Sequence, residues 1–377
     1  MRFLTGGESH GPCLTVLIDG LPSGLEIDRE GIDRDLSRRQ AGYGRGGRMA
    51  IENDRVEIFG GAIGGRTIGA PLVLRIANRD WAHWKDRWDA NDLEPLTVPR
   101  PGHADYAGMT KYALDDARPV LERASARETA GRVAVGAIAK QLLGAFGVRI
   151  QSCVEAIGGI EAAGLHESFE RLRELAECSP VRCPDPVASE RMVCAIDAAR
   201  EAGDSLGGVF SVVAAGVPAG LGTYVQWDRR LDARLAAALV SIPAIKGVEI
   251  GSAFDSAGRR GTDVHDAFLP SGSDRLCRGS NRAGGLEGGM TNGEPIVVRA
   301  AMKPIPSTVH PQHSVDLRTG LAAETAYQRS DVCAVPAASI VGEAMVAWVL
   351  CDALCEALGG ASLAEMKAHW GSWREHV

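Results

Sequence analysis

Hydrophobic positions along this chain gather into short runs and two long ones. The short runs at 14–18 and 209–214 are bounded by glycine and proline turns, and that pattern predicts β-strands. Two further apolar runs, each closing on an arginine at 72–75 and 296–299, predict two more strands. The long runs, 122–146 and 336–358, are rich in small residues and predict helices; at about 1.5 Å per residue each extends roughly 35 Å, enough to cross a domain. The second is apolar on nearly every side, so it belongs at the centre of the fold and covered all round. Its most apolar part, 334–349, is interrupted by Glu343 and falls short of a membrane span, which favours a buried core helix.

These elements come in matched pairs. Gly7-Glu8-Ser9-His10-Gly11, an apolar run and Gly20-Leu21-Pro22-Ser23-Gly24-Leu25 find a counterpart in Gly203-Asp204-Ser205-Leu206-Gly207, an apolar run and Gly216-Val217-Pro218-Ala219-Gly220-Leu221. Each unit reads as turn, strand, turn and helix. The segment from Gly64-Gly65 to Arg75 matches the one from Gly288-Gly289 to Arg299, and a long helix follows each. Chance recurrence of glycine and proline does not account for two matched pairs in one order. The expectation is an α+β protein, a single domain over 1–377. Its pseudo-symmetric halves, about 1–150 and 195–360, each offer an antiparallel sheet packed over a helical centre. Where the copies agree, the residues serve the fold; where they differ, chemistry is the better explanation. His10 faces Leu206 in this comparison, which singles it out.

Length alone allows two or three domains, but 46 glycines and only 5% aromatic residues suit one compact body. The nine cysteines show neither CxxC pairs nor zinc-finger spacing, so reduced thiols in a cytoplasmic protein are expected, without a metal. Cys351 and Cys355 share a helix face, a spacing that can hold a metal, yet on so apolar a helix they read as small buried hydrophobes. The N-terminus lacks the apolar core of a signal peptide. The net charge of −7 argues against general nucleic-acid affinity, whereas Arg38, Arg39, Arg45 and Arg48 lie between Leu36 and Ile51 with no acid among them. A discrete anionic ligand explains that contrast better than a polyanion does.

Several motifs could carry chemistry. Gly42-Tyr43-Gly44-Arg45-Gly46-Gly47-Arg48 has no strand leading into it, so it is neither a Rossmann fingerprint nor a P-loop. Its glycines and arginines suit a loop that closes over anions, against the plainer reading of a solvated basic loop. Ser125-Ala126-Arg127-Glu128 fits a capping box at a helix start, where Arg123 and Arg127 with helix amides would suit phosphate or carboxylate. Arg100-Pro101-Gly102-His103-Ala104-Asp105 is a stiff turn presenting a histidine. Arg329-Ser330-Asp331 precedes the second long helix as Arg123-Ala124-Ser125 precedes the first, so both helix starts are expected at one site. Lys303-Pro304-Ile305-Pro306-Ser307 is a rigid strand exit whose backbone could meet a flat ring or a phosphate. Trp81, Trp84 and Trp88, at helical spacing, read as packing or a subunit contact.

Together GESHGP, RRQAGYGRGGRM, RPGHADY, RASARETAGRVAVGAIAK, IKGVEIG, SNRAGGLEGGMTNGEPI, KPIPS and RSD resemble the chorismate synthase family, in family order over nearly the whole chain. The resemblance implies a β-α-β sandwich, a homotetramer, and an anti 1,4-elimination that converts 5-enolpyruvylshikimate 3-phosphate into chorismate and phosphate. It implies reduced FMN, needed without net redox change, with NADPH as a candidate reductant, and a small-molecule substrate in place of a nucleic acid or membrane. Substrate and flavin phosphates and carboxylates would explain the arginine set.

By the same resemblance His10 would protonate the departing phosphate, His103 would stabilise or protonate reduced flavin near N1, and Asp331 would act near N5 in removal of the ring hydrogen. Ser9, His10, Arg39, Arg45, Arg48, Arg100, Ser125, Arg127 and Arg329 would bind substrate. Flavin contacts would come from Arg123, Ala124, Ser125, Pro243, Ala244, Gly288, Lys303, Pro304, Ile305, Pro306, Ser307 and Arg329, and Arg39 and Arg45 would also serve NADP. The chain departs from the family at Ser330, Ala124 and Pro243, which touches only the flavin hydrogen bonds. Two competing readings are a flavin-dependent oxidoreductase acting on an anionic small molecule and, on the basic loop alone, a nucleic-acid module.

Overall fold

The structure, a computed structural model, describes residues 1–47, 52–89, 93–163, 167–270, 277–327 and 330–374. Strict alternation builds the first sheet. In Cys13–Asp19 the side chains of Leu14, Val16 and Ile18 are buried while their neighbours face outward, and Leu72–Ala77 repeats this with Leu72, Leu74 and Ile76. The order is Arg2–Gly6, Cys13–Asp19, Leu72–Ala77, Val56–Gly60, antiparallel throughout.

The second sheet runs Ile245–Ile250, Ile296–Met302, Gly208–Ala215, Arg149–Ile157, Ile160–Glu161, also antiparallel. Its first four strands, read in reverse, take the same places as those of the first sheet, with Gly208–Ala215 in the position of Cys13–Asp19. The strand Arg149–Ile157 belongs to this sheet although it lies between the two halves read from the sequence. Gln151 to Val154 are all buried, so both faces of the strand are covered there, and two polar residues among them leave no alternation to read.

The paired glycine segments form equivalent hairpins. Gly64 and Gly65, with φ of 58° and 76°, turn Ala62–Ile63 into Arg66–Thr67; Gly288 and Gly289, at 59° and 85°, turn Leu286–Glu287 into Met290–Thr291. Both turn positions need positive φ, which glycine alone adopts without strain. Each hairpin is then tied to its proline turn by a threonine hydroxyl. Thr67 Oγ1 takes the Leu25 N–H at 2.9 Å and donates to the Pro22 carbonyl at 2.7 Å; Thr291 Oγ1 does the same with Leu221 and Pro218 at 2.8 and 2.6 Å.

Between the sheets lie the long helices. Val335–Leu358 is long and apolar enough to cross a bilayer, but 83% of its most apolar window is buried inside the protein, so it is a core helix. The helix expected over 122–146 is instead two. Arg118–Ala124 ends, Ser125 turns extended at φ −61° and ψ 142°, a single 3₁₀ turn follows, and Thr129–Gly144 continues. Ser125 causes the break by capping the Arg127 N–H at 3.3 Å. Glu128 does not complete a capping box there; it accepts from Thr5 Oγ1 at 3.0 Å and from Arg132.

Small residues allow this layer to be thin. A Cβ on Gly136 would stand 2.2 Å from the Ala344 Cα, so the two central helices touch backbone to backbone. Gly131 lies against Val16 of the first sheet and Gly342 against Phe210 of the second. The result is sheet, helices, sheet.

Glu343 is the one fully buried acid of the second central helix. It accepts from Arg38 Nη1 and Nη2, both at 2.8 Å, from Ser152 Oγ at 2.8 Å and from Lys140 Nζ at 3.2 Å. Burial alone would raise its carboxyl, but the charges of Arg38, Lys140 and Arg182 and the Arg38 hydrogen bonds hold it well below the usual range. Arg38 thus leaves the basic set read from the sequence: its guanidinium joins helix to helix.

Candidate active site

The GESHGP turn leaves the start of the Cys13–Asp19 strand and is held from below by Asn78, at the end of the neighbouring strand. Its amide donates to the carbonyls of Glu8, Ser9 and Gly11 at 3.1, 3.2 and 2.7 Å. Glu122 holds it from the side: its carbonyl takes the Ser9 N–H at 3.0 Å, and its carboxylate takes the His10 N–H at 2.7 Å and meets Nδ1 at 2.8 Å. Asp80 Oδ2 stands 3.9 Å from His10 Nε2, and the Trp84 ring tilts against the imidazole with centroids 4.5 Å apart. Ser9 Oγ donates to Ser125 Oγ at 3.0 Å, joining this turn to the break before the first central helix.

That break carries Arg127. Its Nε donates to Asn78 Oδ1 at 2.8 Å and its Nη1 to both oxygens of Asp54 at 2.6 and 2.8 Å. Arg39 reaches the same carboxylate at 3.4 Å, and also Thr129 Oγ1 at 2.9 Å and the Ala126 carbonyl at 3.2 Å. Burial pushes Arg39 down to about 9; Asp54 opposes the shift, and the Arg127 and Arg45 charges add to it. It remains cationic at neutral pH.

Arg45 pairs with Asp331 at 2.7 Å, and the Gly46 N–H donates to the other oxygen of that carboxylate at 2.7 Å. The sequence reading assigned Arg45 and Asp331 to different tasks; the fold makes them partners. A Cβ on Gly46 would stand 2.6 Å from the Ser330 carbonyl, so only glycine lets the loop come so close. Ser330 Oγ donates to the Ser307 carbonyl at 2.7 Å, and Ser307 Oγ accepts from Arg100 Nη1 at 2.9 Å. Arg100 Nε binds Asp105 at 2.8 Å, and His103 Nδ1 meets the same carboxylate at 2.5 Å. Burial would raise the Asp105 carboxyl, but hydrogen bonds from His103 and Arg100 outweigh it and hold it well below the ordinary carboxylate range. Lys303 donates to the Gly102 carbonyl, and its own N–H to the Ala244 carbonyl at 3.0 Å, which brings Ala244, at φ 68°, beside the His103 loop. Pro243 precedes it. Pro304, Ile305 and Pro306 complete that strand exit, with Ser205 Oγ donating to the Ile305 carbonyl at 2.7 Å.

One run of contacts therefore leads from the Ser9-His10 turn through Ser125, Arg127 and Asp54 to Arg39, and a second from Arg45 and Asp331 through Ser330, Ser307, Arg100 and Asp105 to His103, with the Arg45 and Asp331 charges near enough to act on Arg39. Arg123 sits at the exposed margin of the first, donating to the carbonyls of Thr5 and Gly7 at 2.9 and 3.1 Å, next to Ala124. Gly288 is not part of either. Its hairpin lies at the other end of the Ile296–Met302 strand from Lys303, roughly 20 Å away at ~3.3 Å per residue. Arg48 and Arg329 lie outside the described residues.

The sequence reading missed Asp54, Asn78, Asp80 and the grip of Glu122 on His10, and it assigned Trp84 to packing or a subunit contact. One signal was available. Aligning the copies on Arg75 and Arg299 sets Asn78-Arg79-Asp80 against Met302-Lys303-Pro304, as asymmetric as His10 against Leu206.

The donors that converge here, guanidinium, ammonium, imidazole and serine hydroxyl, suit phosphate and carboxylate groups. The family model described as chorismate synthase matches residues 1–355. The chain belongs to the chorismate synthase family. The chorismate synthase of Rubrobacter xylanophilus is 54% identical over 385 residues, covering 100% of this chain and 97% of its own. That of Geobacter sulfurreducens is 52% identical over 390 residues, covering 100% and 99%. A crystal structure of chorismate synthase superposes with a TM-score of 0.82 at 44% identity, covering 100% of this chain and 97% of the other. The sandwich is thus the chorismate synthase fold, and the enzyme class is that of a carbon–oxygen lyase acting on a phosphate ester.

Proposed function

We propose that this chain converts 5-enolpyruvylshikimate 3-phosphate into chorismate and inorganic phosphate by anti 1,4-elimination, with FMN in its reduced form. The observation that carries the reading is the gathering of His10 and His103 with Arg127, Arg39, Arg45 and Arg100, each arginine paired with a buried or half-buried carboxylate. Such a lattice can accept a polyanion without leaving an unpaired buried charge when the ligand departs.

His10 acts on the leaving phosphate as its proton donor, with Ser9 and Ser125 as hydroxyl partners close by. Arg39, Arg45 and Arg127 turn their remaining N–H groups to the substrate anions, and Arg100 holds the His103 turn through Asp105. Arg48 and Arg329 complete the substrate set. Lys303, Pro304, Ile305, Pro306 and Ser307, with Ala244 and Pro243 beside them, would hold the flavin together with Arg123, Ala124 and Ser125, and His103 would stabilise or protonate its reduced form. When bound, reduced FMN supplies electron density to the elimination and is regenerated. Asp331, already taking the Arg45 and Gly46 hydrogens, accepts the proton leaving the substrate ring. NADPH is the reductant proposed for the flavin.

The working form is a cytoplasmic homotetramer. The outer face of the first sheet supports assembly, because Leu4, Leu17 and Phe59 stand 51%, 36% and 61% exposed there. Gly288 then contributes to a flavin site across a subunit boundary, since within one chain it is remote from Lys303.

An anaerobic assay with reduced FMN tests the reaction: phosphate and chorismate should appear in equal amounts with the flavin still reduced. Hydride consumption matching product would instead establish an oxidoreductase.

A further inference from the structure

We infer that Glu122 is a positioning residue for His10, which holds the imidazole with its hydrogen on Nδ1 so that Nε2 is the atom through which a proton passes. The inference rests on the reading of His10 as proton donor.

Glu122 lies on the Arg118–Ala124 helix with its side chain 2% exposed, and its two oxygens are divided between two donors of one residue. Oε2 takes the His10 N–H at 2.7 Å and Oε1 meets Nδ1 at 2.8 Å. A carboxylate only accepts, so the ring nitrogen facing it carries hydrogen. The backbone contact fixes where the residue sits, and the ring contact fixes how the imidazole is turned. Trp84 closes one face of the ring. Asp80 Oδ2, 3.9 Å from Nε2, is beyond hydrogen-bond distance and so does not fix the tautomer.

In the transfer step the Nε2–H bond breaks, an O–H bond forms on the phosphate, and the electron pair stays on Nε2. The ring is left neutral with Nδ1–H still on Glu122. No ring flip is needed before the next turnover.

The test uses the full chain labelled with ¹⁵N-histidine, above the pH range where histidine ordinarily titrates, with His10 assigned by its loss in His10→Gln. Long-range ¹H–¹⁵N spectra should show the Nδ1–H tautomer in the wild type and a shift toward Nε2–H in Glu122→Leu. In the same variant kcat should fall about 10- to 100-fold, the size of a lost charge-assisted hydrogen bond, with KM within about threefold. Glu122→Gln keeps an acceptor for Nδ1–H, so it should retain the tautomer and recover part of the turnover. An Nε2–H wild type, or a Glu122→Leu spectrum unchanged from wild type, overturns the inference. Should the tautomer shift as described while His10→Gln turns over at the wild-type rate, the positioning stands and the assignment of His10 as proton donor falls.

Discussion

Replacing Asp54 by asparagine separates what the arginines do for the fold from what they do for the ligand. The Asp54 carboxylate is fully buried, takes Arg127 at 2.6 and 2.8 Å and Arg39 at 3.4 Å, and both arginine side chains are no more than 4% exposed. Asparagine keeps the volume and removes the charge, leaving two guanidiniums against an amide that is itself half donor. Breaking a buried pair from one side costs about 3–5 kcal/mol. An unfolding entropy of about 2.1 cal/mol/K per residue gives ~0.8 kcal/mol/K for a chain of this length, so Tm should fall by about 4–6 °C. The same substitution raises the affinity for anions. At an effective dielectric of about 20, one unit charge about 8 Å away is worth roughly 2 kcal/mol, a phosphate affinity about 30-fold higher. Thermal unfolding at low salt with and without inorganic phosphate, together with titration calorimetry, reads both effects. A Tm within about 1 °C of wild type refutes the buried pair. Phosphate affinity equal to or below wild type refutes the placing of Arg39 and Arg127 toward the anion.

Glu343→Gln should cost about 3–5 kcal/mol near neutral pH by the same reasoning, read from urea unfolding. Because its folded carboxyl is held below the ordinary value, Glu343 contributes stability that is full above about pH 4.5 and is lost as pH falls toward its folded value. The gap between wild type and variant should therefore be constant above about pH 5 and narrow below about pH 4; a gap that widens in acid contradicts the network. Gly136→Ala should destabilise the protein by about 1–3 kcal/mol despite a gain in helix propensity of about 1 kcal/mol, because the new Cβ meets the Ala344 backbone. A more stable variant in the same urea assay would show that the helices separate freely.

Those residues also mark how far the sequence could be read. Gly64-Gly65 and Gly288-Gly289 were legible as a matched pair leading into strands, whereas the short hairpins they turn came only with the structure. The 336–358 prediction missed the observed Val335–Leu358 by a single residue, because apolarity on every side is a property of the segment itself. Ser125 was recognised as a cap, yet the break it makes in the first central helix was not, since a capping serine within a helix-forming run reads the same at a start and at an interruption. Arg149–Ile157 was missed because its buried Ser152 answers to Arg182 and Glu343, remote in sequence.

The sequence by itself determined the paired units, the central helix, the family and the asymmetry that singles out His10, all of which rest on local spacing or on the order of motifs. Only the tertiary structure decided which carboxylate meets which cation. Glu122 lies 112 positions from His10, Asp54 lies 73 from Arg127, and Asp331 lies 285 from Gly46. With 48 acids and 41 basic side chains in the chain, no local rule selects these partners. Packing selects them, because a charge buried between sheet and helix must be answered by whichever opposite charge the fold carries to the same place.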